Sequence, residues 1–226
     1  MSPTVADEYS ASHYPNAWER AADHWIHVVA IALAAAGTGW LVWLAQTSGR
    51  PGLIVAATLY GAALIAMLAF SALYNLSHPS PARPILRRLD EAGIFLMIAG
   101  SYTPFTTQRL EGAWAVGMTS LVWALAALGI VGKLVLRNLP ERVWTGLYIL
   151  FGWLGVMALE PLSHSVPVTA IALLIAGGLV YSGGSLLFLN ARLPFRRAVW
   201  HGCVCVGAGL HYLAIVAGVV LVPLRG

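Results

Sequence analysis

Residues 71–105 read SALYNLSHPSPARPILRRLDEAGIFLMIAGSYTPF, and the fold turns on this stretch. One apolar segment ends near Leu76. A Pro-Ser-Pro turn and a basic run (Arg83, Arg87, Arg88) follow, and a second apolar segment opens behind Asp90. Proline and serine clustered in this way punctuate helices. Ser71, Asn75 and Asp90 are thereby set near one membrane surface.

Composition agrees with that reading. Of 226 residues, 59% are hydrophobic and only 10% charged, where a soluble domain carries about 25%. A span needs ~20 mostly apolar residues. Seven stretches qualify: residues 26–46, 53–76, 92–107, 113–135, 143–159, 166–189 and 198–222. The third extends back to Asp90, because it lines the bundle rather than facing lipid. The expected fold is an all-α integral membrane protein of seven transmembrane helices, with an N-terminal segment at 1–24 and one membrane domain at 25–226. The N-terminal segment holds Asp7, Glu8, Glu19, Arg20 and Asp23 and no apolar run, so the first span serves as its own insertion signal. Turns are expected at Pro79-Ser80-Pro81 and Asn138-Leu139-Pro140, and close helix contacts at Gly37, Gly39, Gly177, Gly178, Gly183, Gly184, Gly207 and Gly209. Cys203 and Cys205 point about 200° apart on a helix and cannot easily bridge. With no nucleic-acid module and no phosphate loop, the expected partners are membrane lipids and not nucleic acid.

Orientation follows from charge. Arg20, Arg83, Arg87, Arg88, Lys133, Arg137, Arg142, Arg192, Arg196 and Arg197 fall on the N-terminal side of the bundle, against Arg50, Arg109 and Arg225 on the other. The positive-inside rule makes the N-terminus cytoplasmic and the C-terminus external, in the cell's inner (plasma) membrane.

Spans and orientation together put Asp23, His27, Ser71, Asn75, Asp90 and His201 at one depth, on four helices. Costly polar groups in a membrane face the bundle interior, so this layer is the candidate site. Ser71 and Asn75 share a helix face, as do His201 and Cys205. His211 lies ~15 Å deeper than His201 and about 80° away. An Asp and a His can hold Zn²⁺ with a position open for water that attacks an amide or ester. Asn75 is a weak ligand, and His78 or Cys205 would be the substitutes. The same groups would also serve as interfacial ion pairs that fix helix register. Tyr102, Thr103, Pro104 and Phe105 are expected to end the third helix, and His13 and His164 to lie in solvent.

At these residues the chain resembles the hemolysin III family, the bacterial branch of the progestin and adipoQ receptor group. The resemblance runs from about Glu19 onward. It is carried by Ser71-Ala-Leu-Tyr74, Arg88-Leu-Asp90, Ile98-Ala-Gly-Ser-Tyr-Thr-Pro-Phe105, Gly177-Gly-Leu-Val-Tyr181-Ser-Gly183, Ala198-Val-Trp-His201 and His211-Tyr212. It implies a seven-helix bundle with three zinc histidines near the cytoplasmic side, beside a serine and an aspartate. Ser71, Asp90 and His201 match that pattern. Asn75 stands where the second-helix histidine belongs, Arg197 where the first of the His-x-x-x-His pair belongs, and Glu91 where the bacterial family often has histidine. A guanidinium does not ligate metal, so the zinc set is incomplete, and Arg197 is expected to repel Zn²⁺ or to pair with Asp90. The expected function is a part in membrane and lipid homeostasis without strong catalysis. The alternatives are a metal-dependent lipid amide hydrolase using Ser71, Asp90 and His201, and a pore-forming, lytic or transport protein.

Overall fold

The computed structural model describes residues 13–78, 80–136 and 139–223. Asp7, Glu8, Pro79, Arg137, Asn138 and Arg225 lie outside the described residues. Seven helices follow in order: α1 Ala17–Thr47, α2 Pro51–Leu76, α3 Arg83–Gln108, α4 Gly112–Val135, α5 Glu141–Ser165, α6 Val168–Phe188 and α7 Arg196–Val220. All but α3 are long and apolar enough to cross a membrane. The polar exception is the helix that carries Asp90 and Glu91.

Local chemistry sets the helix starts. The Asn16 side chain accepts from the Glu19 N–H at 2.9 Å and caps α1. Proline stands in the first turn of α2 and of α3, where its missing N–H leaves no helical bond unmade. α1 therefore begins at Ala17, upstream of the expected first span, and carries Asp23 and His27 on its second and third turns.

The 102–105 segment does not end α3, which continues through Pro104 to Gln108. Thr103, Pro104 and Phe105 are buried within the bundle, so the helix gains more by packing than Pro104 costs it. The Tyr102 ring leaves sideways instead. Its hydroxyl donates to the Gly152 carbonyl at 2.7 Å and accepts from the Gly155 N–H at 2.6 Å. Those two backbone groups belong to the point where α5 tightens into a 3₁₀ stretch, Trp153–Ala158. A side chain inserted into the backbone ladder is a physical cause for such a break.

α6 and α7 approach through glycine. A Cβ at Gly177 would lie 2.4 Å from the His211 ring, one at Gly207 2.8 Å from Tyr181, and one at Gly184 2.5 Å from the Cys203 side chain. Gly39, Gly183 and Gly209 face open space and are not contact points. The main core joins α1, α2 and α7 around Leu41, Leu53, Tyr60, Ile215 and Val219. At the end of the bundle away from Asp23, the Arg109 guanidinium donates to the carbonyls of Val219 (2.7 Å), Val222 and Pro223 (3.0 Å) and closes the end of α7.

Candidate functional site

Three helices each turn polar residues four apart toward the same point. α1 delivers Asp23 and His27, α2 delivers Ser71 and Asn75, and α7 delivers Arg197 and His201. Asp23 is wholly buried, and Asn75, His27, Ser71 and His201 are nearly so. Buried polar groups at this density persist only when hydrogen-bonded. The Asp23 carboxylate accepts from His201 Nδ1 at 2.6 Å and from the Tyr14 hydroxyl at 2.5 Å. His27 Nδ1 lies 2.8 Å from the Asp23 main-chain carbonyl.

Those partners fix the tautomers. A carbonyl only accepts, so His27 Nδ1 carries its proton. The same holds for His201 Nδ1 facing an ionised carboxylate that also receives the Tyr14 hydroxyl. Both Nε2 atoms are then bare lone pairs, and both aim at Ser71 Oγ, from 3.2 Å (His27) and 3.3 Å (His201). Asn75 Nδ2 donates to the same oxygen at 3.3 Å. Ser71 has one proton for two imidazole acceptors. One ring nitrogen therefore stays open to a proton or a cation, which is basic capacity held at a buried point.

Arg197 sits on the outer side of this cluster. It donates to Asn75 Oδ1 at 3.2 Å and to the His13 main-chain carbonyl at 3.0 Å. The expected pairing with Asp90 is not made: among the described residues no ion pair joins them, because Asn75 reaches the guanidinium first. Asp90 lines the cavity in front of Ser71 and His201, within electrostatic reach of both. Glu91, beside it, is held by Lys133 at 2.6 Å and Arg87 at 3.0 Å. Asp23 and His27, read from the sequence as members of the polar layer, stand at its centre.

His13 and Tyr14 belong to the site and carried no sequence signal, since they lie before α1 and no periodicity covers them. His13 does not lie in solvent. Its ring packs edge-on against Tyr14 and Tyr74. Burial, with the Arg197 and Arg83 cations beside it, pushes its pKa down to about 3. Burial and the Asp23 carboxylate push the Tyr14 phenol well above its ordinary range, so it stays a donor. His164, by contrast, is exposed and pairs with Glu160 at 3.1 Å.

Ser71, His27, Asp90 and His201 open into a cavity of about 330 Å³. This polar chamber shares Met67, Tyr148, Trp200 and Val204 with a second cavity of about 90 Å³. The second shares Tyr102, Trp153, Gly178 and His211 with a third of about 190 Å³, walled by apolar residues of α3, α5 and α6. A polar chamber thus leads into apolar space beside the α5 break. His211 belongs to that apolar end, where Nε2 meets the Leu174 carbonyl at 3.2 Å.

The zinc set implied by the resemblance does not fit, because Asn75 and Arg197 spend their polar atoms on Ser71 and on each other. A different trio does: ligand atoms of Asp23, His27 and His201 lie within 4.8 Å of one another and could hold a metal ion. A carboxylate on the far nitrogen of an imidazole is the arrangement that orients metal-binding histidines.

The Haemolysin-III related family model matches residues 19–212. The chain is 33% identical over 175 residues to "Hemolysin-3" of Bacillus cereus, covering 77% of this chain and 80% of that protein. It is 30% identical over 198 residues to the "Hemolysin-3 homolog" of Bacillus subtilis (strain 168), covering 87% and 92%. It is also 30% identical over 173 residues to "Heptahelical transmembrane protein ADIPOR2" of Oryza sativa subsp. japonica, covering 66% and 75%.

Proposed function

This chain belongs to the Haemolysin-III related family of multi-pass membrane proteins, and we propose that within it the chain is a hydrolase of an acyl ester or amide bond in a bilayer amphiphile. One observation carries the reading: a buried Asp–His–Ser–His cluster opens into a polar chamber that continues into apolar cavities. An amphiphile entering with its chain along α3, α5 and α6 would bring its carbonyl to Ser71 and His201. The apolar end aligns the chain rather than supplying affinity, because lipid tails are already in an apolar medium.

The residues divide the work. His201, supported by Asp23, takes a proton at Nε2. Ser71, held by Asn75, presents its hydroxyl to the carbonyl. Asp90 faces the same chamber and serves the leaving group. Zinc held by the Asp23, His27 and His201 trio would polarise a carbonyl and acidify a water, and would then occupy the lone pair that otherwise takes the proton. With the N-terminus cytoplasmic, as the positive-inside rule expects, this chamber would open at the cytoplasmic face of the inner membrane.

The test is turnover by detergent-purified protein on a panel of ester and amide lipids, with released acid measured by mass spectrometry. Hydrolysis that disappears in His201→Gln supports the reading. A folded wild type that releases no acid from any of them overturns it. A second reading, lipid homeostasis without turnover, is favoured by Arg197 standing on Asn75 at 3.2 Å. It predicts that loss of the protein changes membrane composition while His201→Gln restores it as well as wild type does.

A further inference from the structure

We propose that Ser71 is a covalent nucleophile, with His201 as its base, Asp23 as the group that orients and charges that base, and Asn75 as a positioning group that holds the Ser71 hydroxyl. This rests on the hydrolase reading above and names its chemistry. Ser71 Oγ, His201 Nε2 and Nδ1, and Asp23 Oδ1 form one line, with contacts of 3.3 Å and 2.6 Å. Nucleophile, imidazole and buried carboxylate in that order constitute the serine relay, which is recognised by geometry and roles and recurs on unrelated folds.

Two imidazoles face the Ser71 hydroxyl from the bundle side, with the Asp90 carboxylate near it across the chamber, and the backing of the two rings decides between them. His27 Nδ1 is bonded to a main-chain carbonyl, whereas His201 Nδ1 is bonded to a carboxylate that can stabilise an imidazolium. His27 holds the hydroxyl in the resting state, and His201 takes its proton during attack. Tyr14 occupies the second oxygen of Asp23 and leaves the first for His201.

The two departures from the zinc pattern acquire a role here. Asn75 Nδ2 lies 3.3 Å from Ser71 Oγ, and Arg197 holds the carbonyl end of the same amide at 3.2 Å. The guanidinium fixes which end of Asn75 faces the nucleophile and polarises its N–H. The amide is a positioning group: it donates to the Ser71 main-chain carbonyl at 3.0 Å and to Oγ at 3.3 Å, and so fixes the hydroxyl that faces the chamber.

The steps balance with water as the only co-reactant. Ser71 Oγ bonds the acyl carbon while its proton passes to His201 Nε2. The bond from carbon to the leaving alcohol or amine breaks, and the leaving group takes that proton. Water then adds to the acyl-Ser71 carbon, His201 takes its proton and returns it to Ser71 Oγ, and the carboxylic acid departs.

The experiment is reaction of the purified full chain with an alkyl fluorophosphonate, followed by peptide mass spectrometry. The expected result is a phosphonyl adduct on Ser71. Its rate of formation should fall by on the order of 10⁴-fold in Asp23→Asn. Because the wild-type adduct is itself the readout, a Ser71→Ala variant that fails to fold decides nothing against it. No adduct on Ser71, with lipid hydrolysis intact in wild type, overturns the nucleophile and leaves the hydrolase standing. An adduct on Ser71 without turnover of any ester or amide lipid supports the nucleophile and removes the lipid substrate instead. Neither adduct nor turnover overturns both.

Discussion

Asp23→Asn is the most informative single change. The side chain is wholly buried and meets two donors, the Tyr14 hydroxyl at 2.5 Å and His201 Nδ1 at 2.6 Å. Asparagine keeps the shape and loses the charge, and one of its two terminal atoms becomes a donor. It cannot accept from both neighbours in the way the carboxylate does. If its NH₂ turns to His201, the ring proton must move to Nε2, the atom that has to take the Ser71 proton. A base in the wrong tautomer loses on the order of 10⁴-fold in rate where a serine relay operates. Weakening these buried hydrogen bonds to a charged group costs roughly 1.5–3 kcal/mol, which for a chain of this length lowers the melting midpoint by roughly 3–12 °C. The assay is hydrolysis and fluorophosphonate labelling of the purified variant beside a fluorescence-detected melt. Labelling within about tenfold of wild type, with an unshifted midpoint, would refute both the tautomer argument and the place given to Asp23.

Gly177→Ala puts a Cβ 2.4 Å from the His211 ring and 3.2 Å from the Gly207 carbonyl. It should destabilise by about 1–3 kcal/mol, while Gly183→Ala, which meets nothing within 4 Å, should leave the melt unchanged or raise it. Equal effects would contradict the α6–α7 approach. His13 binds its proton more weakly folded, at about 3, than unfolded, at 6.5, so its contribution is complete above pH 6.5 and is lost as pH falls toward 3. The melting midpoint should drop with acidification over that window, and His13→Gln should flatten the slope; an identical slope in the variant would assign it to other groups. Asn75→His/Arg197→His removes a fixed cation and adds two imidazoles, and should raise zinc affinity at least about tenfold by calorimetry. Equal zinc content in wild type and variant would mean that Asp23, His27 and His201 already bind the ion unaided.

The seven helices were legible because composition and turn chemistry alone mark spans of this length. The site was legible in depth. Asp23, His27, Ser71, Asn75 and His201 sit at matching distances along their helices, and each i,i+4 pair fixes one polar face. What a rise of 1.5 Å per residue does not encode is which face turns toward which neighbour. That is why Asp23, rather than Asp90, proves to be the carboxylate on His201, and why Arg197 meets Asn75 rather than Asp90. Tyr102 and Pro104 misled for a related reason. Both are end-of-helix residues by local preference, and both are overridden by a partner helix, α5, whose broken backbone needs the Tyr102 hydroxyl.

Asn75 and Arg197 are best understood as one unit. Arg197 keeps its charge at the edge of a cluster built on bare imidazole nitrogens, and the neutral Asn75 amide gives it an acceptor at 3.2 Å. Asn75 alone would be free to turn its carbonyl toward Ser71 and add a third acceptor to an oxygen that already faces two. With the guanidinium on Oδ1, the amide turns its NH₂ to Ser71, donating to the main-chain carbonyl at 3.0 Å and to Oγ at 3.3 Å. Charge at position 197 thus reaches Ser71 through the orientation of Asn75. The same two residues that make the expected metal set incomplete leave the serine with a base on one side and a donor on the other.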